Sequence, residues 1–229
     1  MMDNFTASFY QNFIEDDRWK YITDGLFNTL RITFFAVLIG IFLGFLIAVV
    51  RSTYDKTHKL GVLNALCKVY LTVIRGTPVL VQLLIIYFVV FGSVKIDKTL
   101  VAVIAFGINS GAYVAEIFRS GIMSVDKGQT EAGRSLGLNS AQTMRLINIP
   151  QAFKNVLPAL INEMIVLLKE TAIIGYIGTI DITKAATLVQ SRTYDALVPL
   201  LSAAIFYLIL VMILTYFMGK LERRLRESD

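Results

Sequence analysis

Long uncharged runs set the pattern of this chain. Ile32–Val50, Gly76–Val94 and Ala196–Met218 contain no Asp, Glu, Lys or Arg. Each approaches the ~20 residues that an α-helix needs to cross a bilayer core. Two further apolar stretches, Leu100–Phe118 and Val156–Ile180, are interrupted by a few polar residues. The pattern predicts an all-α, polytopic membrane protein with five crossings: Leu26–Val50, Val69–Val94, Leu100–Phe118, Val156–Ile180 and Ala196–Met218. Ahead of them, Phe5, Phe9 and Phe13 recur every four residues, with Tyr10 and Ile14 alongside and Trp19 and Tyr21 following. That spacing gives a helix one apolar face. The segment over residues 1–24 either lies on the membrane surface or packs on the protein itself, and residues 25–229 form the transmembrane domain.

Breaks in the pattern predict the connections. Arg31 lies near the start of the first crossing, where a long side chain can snorkel to water. Arg51–Lys68 reads as a basic loop with some helical pattern. Within the second crossing, Arg75-Gly76-Thr77-Pro78 predicts a kink or break, because proline removes a backbone donor. Ile180–Asp195 reads as an outer loop and Lys220–Asp229 as a charged tail. The most informative polar stretch is Gln129–Pro150, in a central loop over about 121–154. Gln129–Leu136 reads as a short helix with Gly137 at a left-handed C-terminal cap. Asn139 and Gln142 have capping-box spacing for a second helix. Pro150 is expected to end that helix, since the residue before a proline is pushed out of helical geometry.

Composition agrees with burial in lipid. The chain is 55% hydrophobic with a mean hydropathy of +0.64, against about 45–50% for soluble domains. The net charge of +5 and the pI of about 9.3 do not call for nucleic acid. The cations gather on the central-loop side, at Arg119, Lys127, Arg134, Arg145, Lys154 and in the tail. The opposite side holds only Arg18, Lys20, Lys95, Lys98, Lys184 and Arg192. The positive-inside rule then places the N-terminus outside and the C-terminus in the cytoplasm. A single Cys67 excludes an internal disulfide, and with the single His58 it makes a poor metal site. No secretory signal is visible at the acidic N-terminus.

Charges within the crossings are the candidate chemistry, since each costs at least ~2.5–3.5 kcal/mol at the bilayer centre. Arg75, Glu116, Glu163, Lys169 and Glu170 must pair or line a wet cavity. Asn109, Tyr113 and Glu116 share one face of the third crossing, and Asn162 with Glu163 adds polarity to the fourth. Together they suggest a central polar path. Glu163 has two readings: a carboxylate that receives the cation of a solute, or one satisfied by neighbouring helices that fixes packing. Asn162 equally suits a hydrogen bond between helices. No phosphate loop of the GxxxxGK[ST] type, no HExxH and no GxSxG occurs, so no catalytic residue is expected. A transporter of this kind must draw its energy from a partner or an ion gradient.

The central stretch resembles the EAA loop of membrane subunits of binding-protein-dependent ABC importers. The family pattern is Glu-Ala-Ala-x3-Gly-x9-Ile-x-Leu-Pro. Here Glu131-Ala132-Gly133, Gly137, Ile147, Ile149 and Pro150 stand at that spacing, with Gly133 in place of alanine and Ile149 in place of leucine. Arg75-Gly76-Thr77-Pro78 with Gln82, Ala112-Tyr113 with Glu116 and Arg119, and Asn162-Glu163 with Leu168-Lys169-Glu170-Thr171 resemble the polar amino-acid (histidine, glutamine, arginine) permease branch.

The resemblance implies the ABC type I importer transmembrane fold in a bacterial inner membrane. It implies that two identical or similar subunits pair, that a solute-binding protein delivers an amino acid, and that a separate ATPase binds ATP and Mg. It implies no cofactor in this chain. The loop would dock on the ATPase through Glu131, Ala132, Gly133, Arg134, Gly137 and Leu138. Glu163, Asn162, Asn109, Tyr113 and Glu116 would contact the substrate, with a leaning toward basic amino acids. The rival reading is an ion- or proton-coupled secondary transporter or channel that uses the intramembrane carboxylates.

Overall fold

The computed structural model describes residues 2–226, and for residues 2–5, 56 and 226 only the backbone. The helices are α1 (Met2–Phe9), α2 (Trp19–Thr57), α3 (Gly61–Gly76), α4 (Val79–Ile85), α5 (Lys98–Met123), α6 (Lys127–Ser135), α7 (Ser140–Thr143), α8 (Ile149–Glu170), α9 (Ile182–Thr193) and α10 (Leu197–Arg226). Single π-helical turns follow α1, α4 and α7, and 3-10 turns cover Glu15–Asp17 and Thr171–Ile177. By length and composition three helices can cross a membrane, and a fourth if α3 and the segment Val79–Val90 form one span bent by 111°. The remaining expected crossing, α8, has 22 residues but carries Lys154, Glu163, Lys169 and Glu170. It is sheltered by packing against α5 and α10.

The crossing of α2 and α5 is built from glycines. Gly40 and Gly44 on α2 lie one turn apart, as do Gly107 and Gly111 on α5. A Cβ on Gly40 would stand 2.7 Å from Ser110 Oγ, and one on Gly107 2.6 Å from Ile39. At Gly44 a Cβ would meet Val114 at 2.6 Å and the Ala115 backbone nitrogen at 2.8 Å. Small residues at this period let two backbones approach within a bilayer, where water provides no drive for association. Around the crossing, Ile32, Ala36, Leu83, Ala102, Phe106, Leu167 and Ile174 are fully or almost fully buried.

Several boundaries differ from the expected ones. The helix of the first expected crossing, α2, has 39 residues, starts at Trp19 and continues to Thr57. The basic stretch Arg51–Lys68 is therefore mostly helix, split by a short turn at His58–Leu60. Residues 24 and 25 lie inside α2, so the expected division of the chain does not coincide with a break. The fourth helix ends at Glu170 rather than Ile180, and 3-10 turns follow. The expected outer loop is largely α9, capped by the buried Asp181, whose carboxylate accepts from Thr183 N, Lys184 N and Tyr207 Oη. An N-cap aspartate followed by a mixed-polarity run signals a helix, and its lack of a long apolar stretch hid it. The charged tail continues α10 as far as Arg226, and residues 227–229 lie outside the described ones.

The N-terminal segment packs on the protein with one side and is open on the other. Phe13 is buried against Ile22, Ala185 and Phe206, while Phe9, Tyr10 and Ile14 are exposed. Phe5 lies outside the residues whose side chains are described. Ser8 and Asn12 donate to Asp195, which in turn accepts from Leu197 N at the start of α10. The Ser8 and Asn12 bonds hold the Asp195 carboxyl below the usual carboxylate range.

Gly44→Ala should lower the unfolding temperature of the detergent-solubilised protein, at a cost of about 1–3 kcal/mol, because the added methyl meets a backbone atom. Gly219→Ala, with nothing within 4 Å, should not lower it. Equal thermal melts for the two variants would show that close backbone approach is not what joins α2 to α5.

Candidate coupling loop and intramembrane polar clusters

The central loop is a folded knob on one end of the bundle. Asp126 caps α6 by accepting from Gly128 N at 2.6 Å. At its far end Gly137 takes φ +84°. Gly137 N donates to Arg134 O, and Leu138 N donates to Gly133 O. This pair of bonds is a Schellman cap, and the positive φ suits a residue without a side chain. Asn139 and Gln142 form the expected capping box at 2.9 Å in both directions.

Pro150 does not end the helix that this box starts. Its ring sits in the first turn of α8, where no intrahelical N–H is required. One π-helical turn, Met144–Asn148, absorbs the change of register. Backbone angles stay helical at the junctions between Ser140 and Glu170, so loop and membrane helix run as one continuous rod, with Pro150 in the first turn of α8 and Pro158 inside it. Asn148 donates to Thr130 Oγ1 at 3.0 Å and Gln151 donates to Gln129 Oε1 at 3.3 Å, which ties α6 to the same rod.

The six residues expected at a docking face divide in two. Glu131, Ala132, Arg134 and Gly137 are exposed, and Leu138 is partly so. Gly133 is buried and faces inward: a Cβ there would lie 2.7 Å from Ile147 and 3.0 Å from Thr143. Its smallness serves the packing of α6 on the rod, which accounts for glycine where the family pattern has alanine. Leu136, 81% exposed, and Leu146, 61% exposed, add apolar area that the motif alone does not reveal.

Within the bundle, the residues expected to line one path fall into separate groups. Asn109 is buried and donates to Gln82 Oε1 at 2.9 Å. Gln82 reaches back across the Arg75–Pro78 break and donates to Ile74 O at 2.7 Å and to Thr77 O at 3.0 Å. It satisfies carbonyls that the bend frees, as membrane-embedded backbone requires. Glu163 is 9% exposed and accepts from Ser110 Oγ at 2.9 Å. Its neighbour Asn162 is exposed and points elsewhere. Glu116 accepts from Arg119 Nε at 2.9 Å, with Arg75 Nη1 3.8 Å away. The Arg75 guanidinium lies over the Tyr113 ring at 5.9 Å. Tyr113 and Glu116 thus share a cationic neighbourhood apart from the Ser110–Glu163 pair. Spacing puts Asn109, Tyr113 and Glu116 on one face of α5, but it does not show that α3 and α4 meet that face in two different ways.

The structure is thus a helical membrane bundle with a capped, exposed loop that runs on into a polar membrane helix. Comparison with known proteins agrees. Residues 26–227 match the family model described as "Binding-protein-dependent transport system inner membrane component", and the chain belongs to this family. It is 39% identical over 212 residues to the arginine transport system permease protein ArtQ of Bacillus subtilis, covering 91% of this chain and 94% of that protein. It is 35% identical over 208 residues to the glutamine transport system permease protein GlnP of Escherichia coli K12, covering 90% and 93%. Among solved structures, an amino acid ABC transporter with histidines matches at 43% identity and a TM-score of 0.82, covering 90% of this chain and 94% of that one. The MetNI methionine ABC transporter, at 18% identity and a TM-score of 0.77, shares the fold.

Gln82→Leu should strand the Ile74 and Thr77 carbonyls and Asn109, with a loss of about 1–3 kcal/mol. A lowered midpoint in a thermal melt checks this, and an unchanged midpoint would show that the bend holds without the amide.

Proposed function

We propose that this chain is the membrane subunit of an ATP-driven amino-acid importer, and that the exposed loop is where the separate ATPase grips it. The observation that carries this reading is the uninterrupted rod from Ser140 to Glu170, with the docking residues at one end and Glu163 inside the membrane. From Ser140 to Glu163 the rod spans about 35 Å at the ~1.5 Å rise per helical residue. Two copies, identical or closely similar, pair across the path. ATP binding closes the ATPase pair and draws the two loops together. The rods then turn the cavity outward toward a solute-binding protein, and hydrolysis returns it inward. The N-terminus and α9 lie on the outer side of the inner membrane, and the loop and the C-terminus in the cytoplasm, in accord with the cation distribution.

Glu163 receives the side-chain cation of the solute when its hydrogen bond with Ser110 opens. Asn109 adds a neutral hydrogen bond when Gln82 releases it, whereas Asn162 faces away from this pair and Tyr113 and Glu116 stand apart from it with Arg75. The arginine, glutamine and histidine named for the relatives share an α-amino group, and an acidic partner also suits a basic side chain, so basic amino acids are the favoured cargo. An ion-coupled mechanism has the intramembrane carboxylates in its favour. An uncoupler that abolishes uptake while ATP remains would support it.

Two variants test the reading in vesicles that contain the full transporter. Glu131→Lys should reduce ATP-driven uptake by tenfold or more while the protein still inserts, and unchanged uptake would remove Glu131 from the docking face. Glu163→Gln should lower arginine uptake by about tenfold, the effect of removing a single charge-assisted hydrogen bond to the solute. Uptake measured across a panel of amino acids should fall most for basic ones. A uniform fall across the panel would assign Glu163 to the shared α-amino group, and no fall would exclude it from the path.

A further inference from the structure

A cavity of about 640 Å³ opens between α2, α3 and α5. Its wall carries Arg51, Lys68 and Arg75, together with Thr72 and Tyr113, and no carboxylate. The acid beside it, Glu116, is engaged by Arg119 through two guanidinium nitrogens, and Arg75 stands 3.8 Å from its other oxygen. Arg51 Nε is buried and has no hydrogen-bond partner among the described residues. Three cations therefore face one space, and of these only Arg75 comes within 4 Å of a carboxylate among the described residues. Such an arrangement is costly in a membrane protein unless an anion or water faces it.

Depth and surroundings narrow the anion. The uncharged run of α2 ends at Val50, so Arg51 falls at the boundary between hydrocarbon and headgroups. The Phe45–Phe118 ring contact places this end of α2 beside the end of α5 that leads into the central loop. Next to the cavity, α3 presents an exposed apolar stripe of Val62, Leu66, Val69 and Val73, each 52–79% exposed. A cationic pocket that adjoins an apolar helix face matches a molecule with an anionic head and an apolar tail. Basic pockets between membrane helices at this depth suit phosphate headgroups.

We propose that this cavity is a binding site for an anionic phospholipid of the loop-side leaflet, with its phosphate held by Arg51, Lys68 and Arg75 and its acyl chains along the α3 stripe. The site is separate from the Ser110–Glu163 pair and does not depend on which solute is carried.

The test titrates the delipidated full-length protein with phosphatidylglycerol, phosphatidylcholine or inorganic phosphate and counts bound molecules by native mass spectrometry. Phosphatidylglycerol should be retained over phosphatidylcholine by about tenfold or more, as a cluster of basic side chains provides. The double variant Arg51→Gln/Lys68→Gln should lose that preference, and Arg51→Lys/Lys68→Arg should keep it. Inorganic phosphate in excess should leave the lipid in place. Displacement by phosphate would assign the pocket to free anions and overturn the lipid source. A preference that survives neutralisation would place lipid elsewhere. No preference in the unaltered chain, as when a second copy covers the pocket, would overturn the site outright and needs no variant to fold.

Discussion

In lipid, two helices gain nothing by excluding water from between them, and so α2 and α5 are held by how closely their backbones approach. Gly40 and Gly44 face Ser110 and Val114 and Gly107 faces Ile39 at distances below 3.0 Å that Cβ atoms essentially never show, and Gly111 faces Leu43 at a tight 3.0 Å. This close approach fixes the frame on which everything else is hung. It carries Ser110 to within reach of Glu163, and it sets the adjacent Asn109 toward Gln82. The polar groups then have defined partners in an apolar medium, which limits where the bundle can open.

The second constraint is mechanical. On the proposed reading a push from outside the membrane must reach groups inside it, and a helix transmits displacement better than a loop. Here the knob and the membrane helix are joined by a π-helical turn at Met144–Asn148, with Pro150 in the first α-helical turn after it. The Schellman and capping-box ends of the knob keep its short helices from fraying. Gly133 brings α6 down onto the rod, and the Thr130–Asn148 and Gln129–Gln151 bonds hold it there.

Much of this was legible in the residues. Uncharged runs located the membrane segments, Arg75–Pro78 marked the break, and Gly137 with Asn139 and Gln142 marked the caps. Each depends on local chemistry that the sequence states directly. What was not legible depended on tertiary context. Pro150 has the same local meaning whether it ends one helix or starts the next, and only the π-turn before it decides. The helix α9 has no long apolar run, and its capping Asp181 gains significance from burial against Tyr207. The polar side chains of the crossings were found one by one, but their grouping depends on how α3 and α4 pack after a 111° bend.

The central claim is that loop and membrane helix move as a single body. Spin labels at Ser140 and Asn162, both exposed, would report it by the distance between them within one chain of the assembled transporter. That distance, about 33 Å at the ~1.5 Å rise per helical residue, should be the same in the nucleotide-free and ATP-bound states, while the distance between the Ser140 positions of the two paired subunits shortens. A change within the chain would mean that the rod bends near Pro150 and that the loop does not drive the membrane helix as proposed.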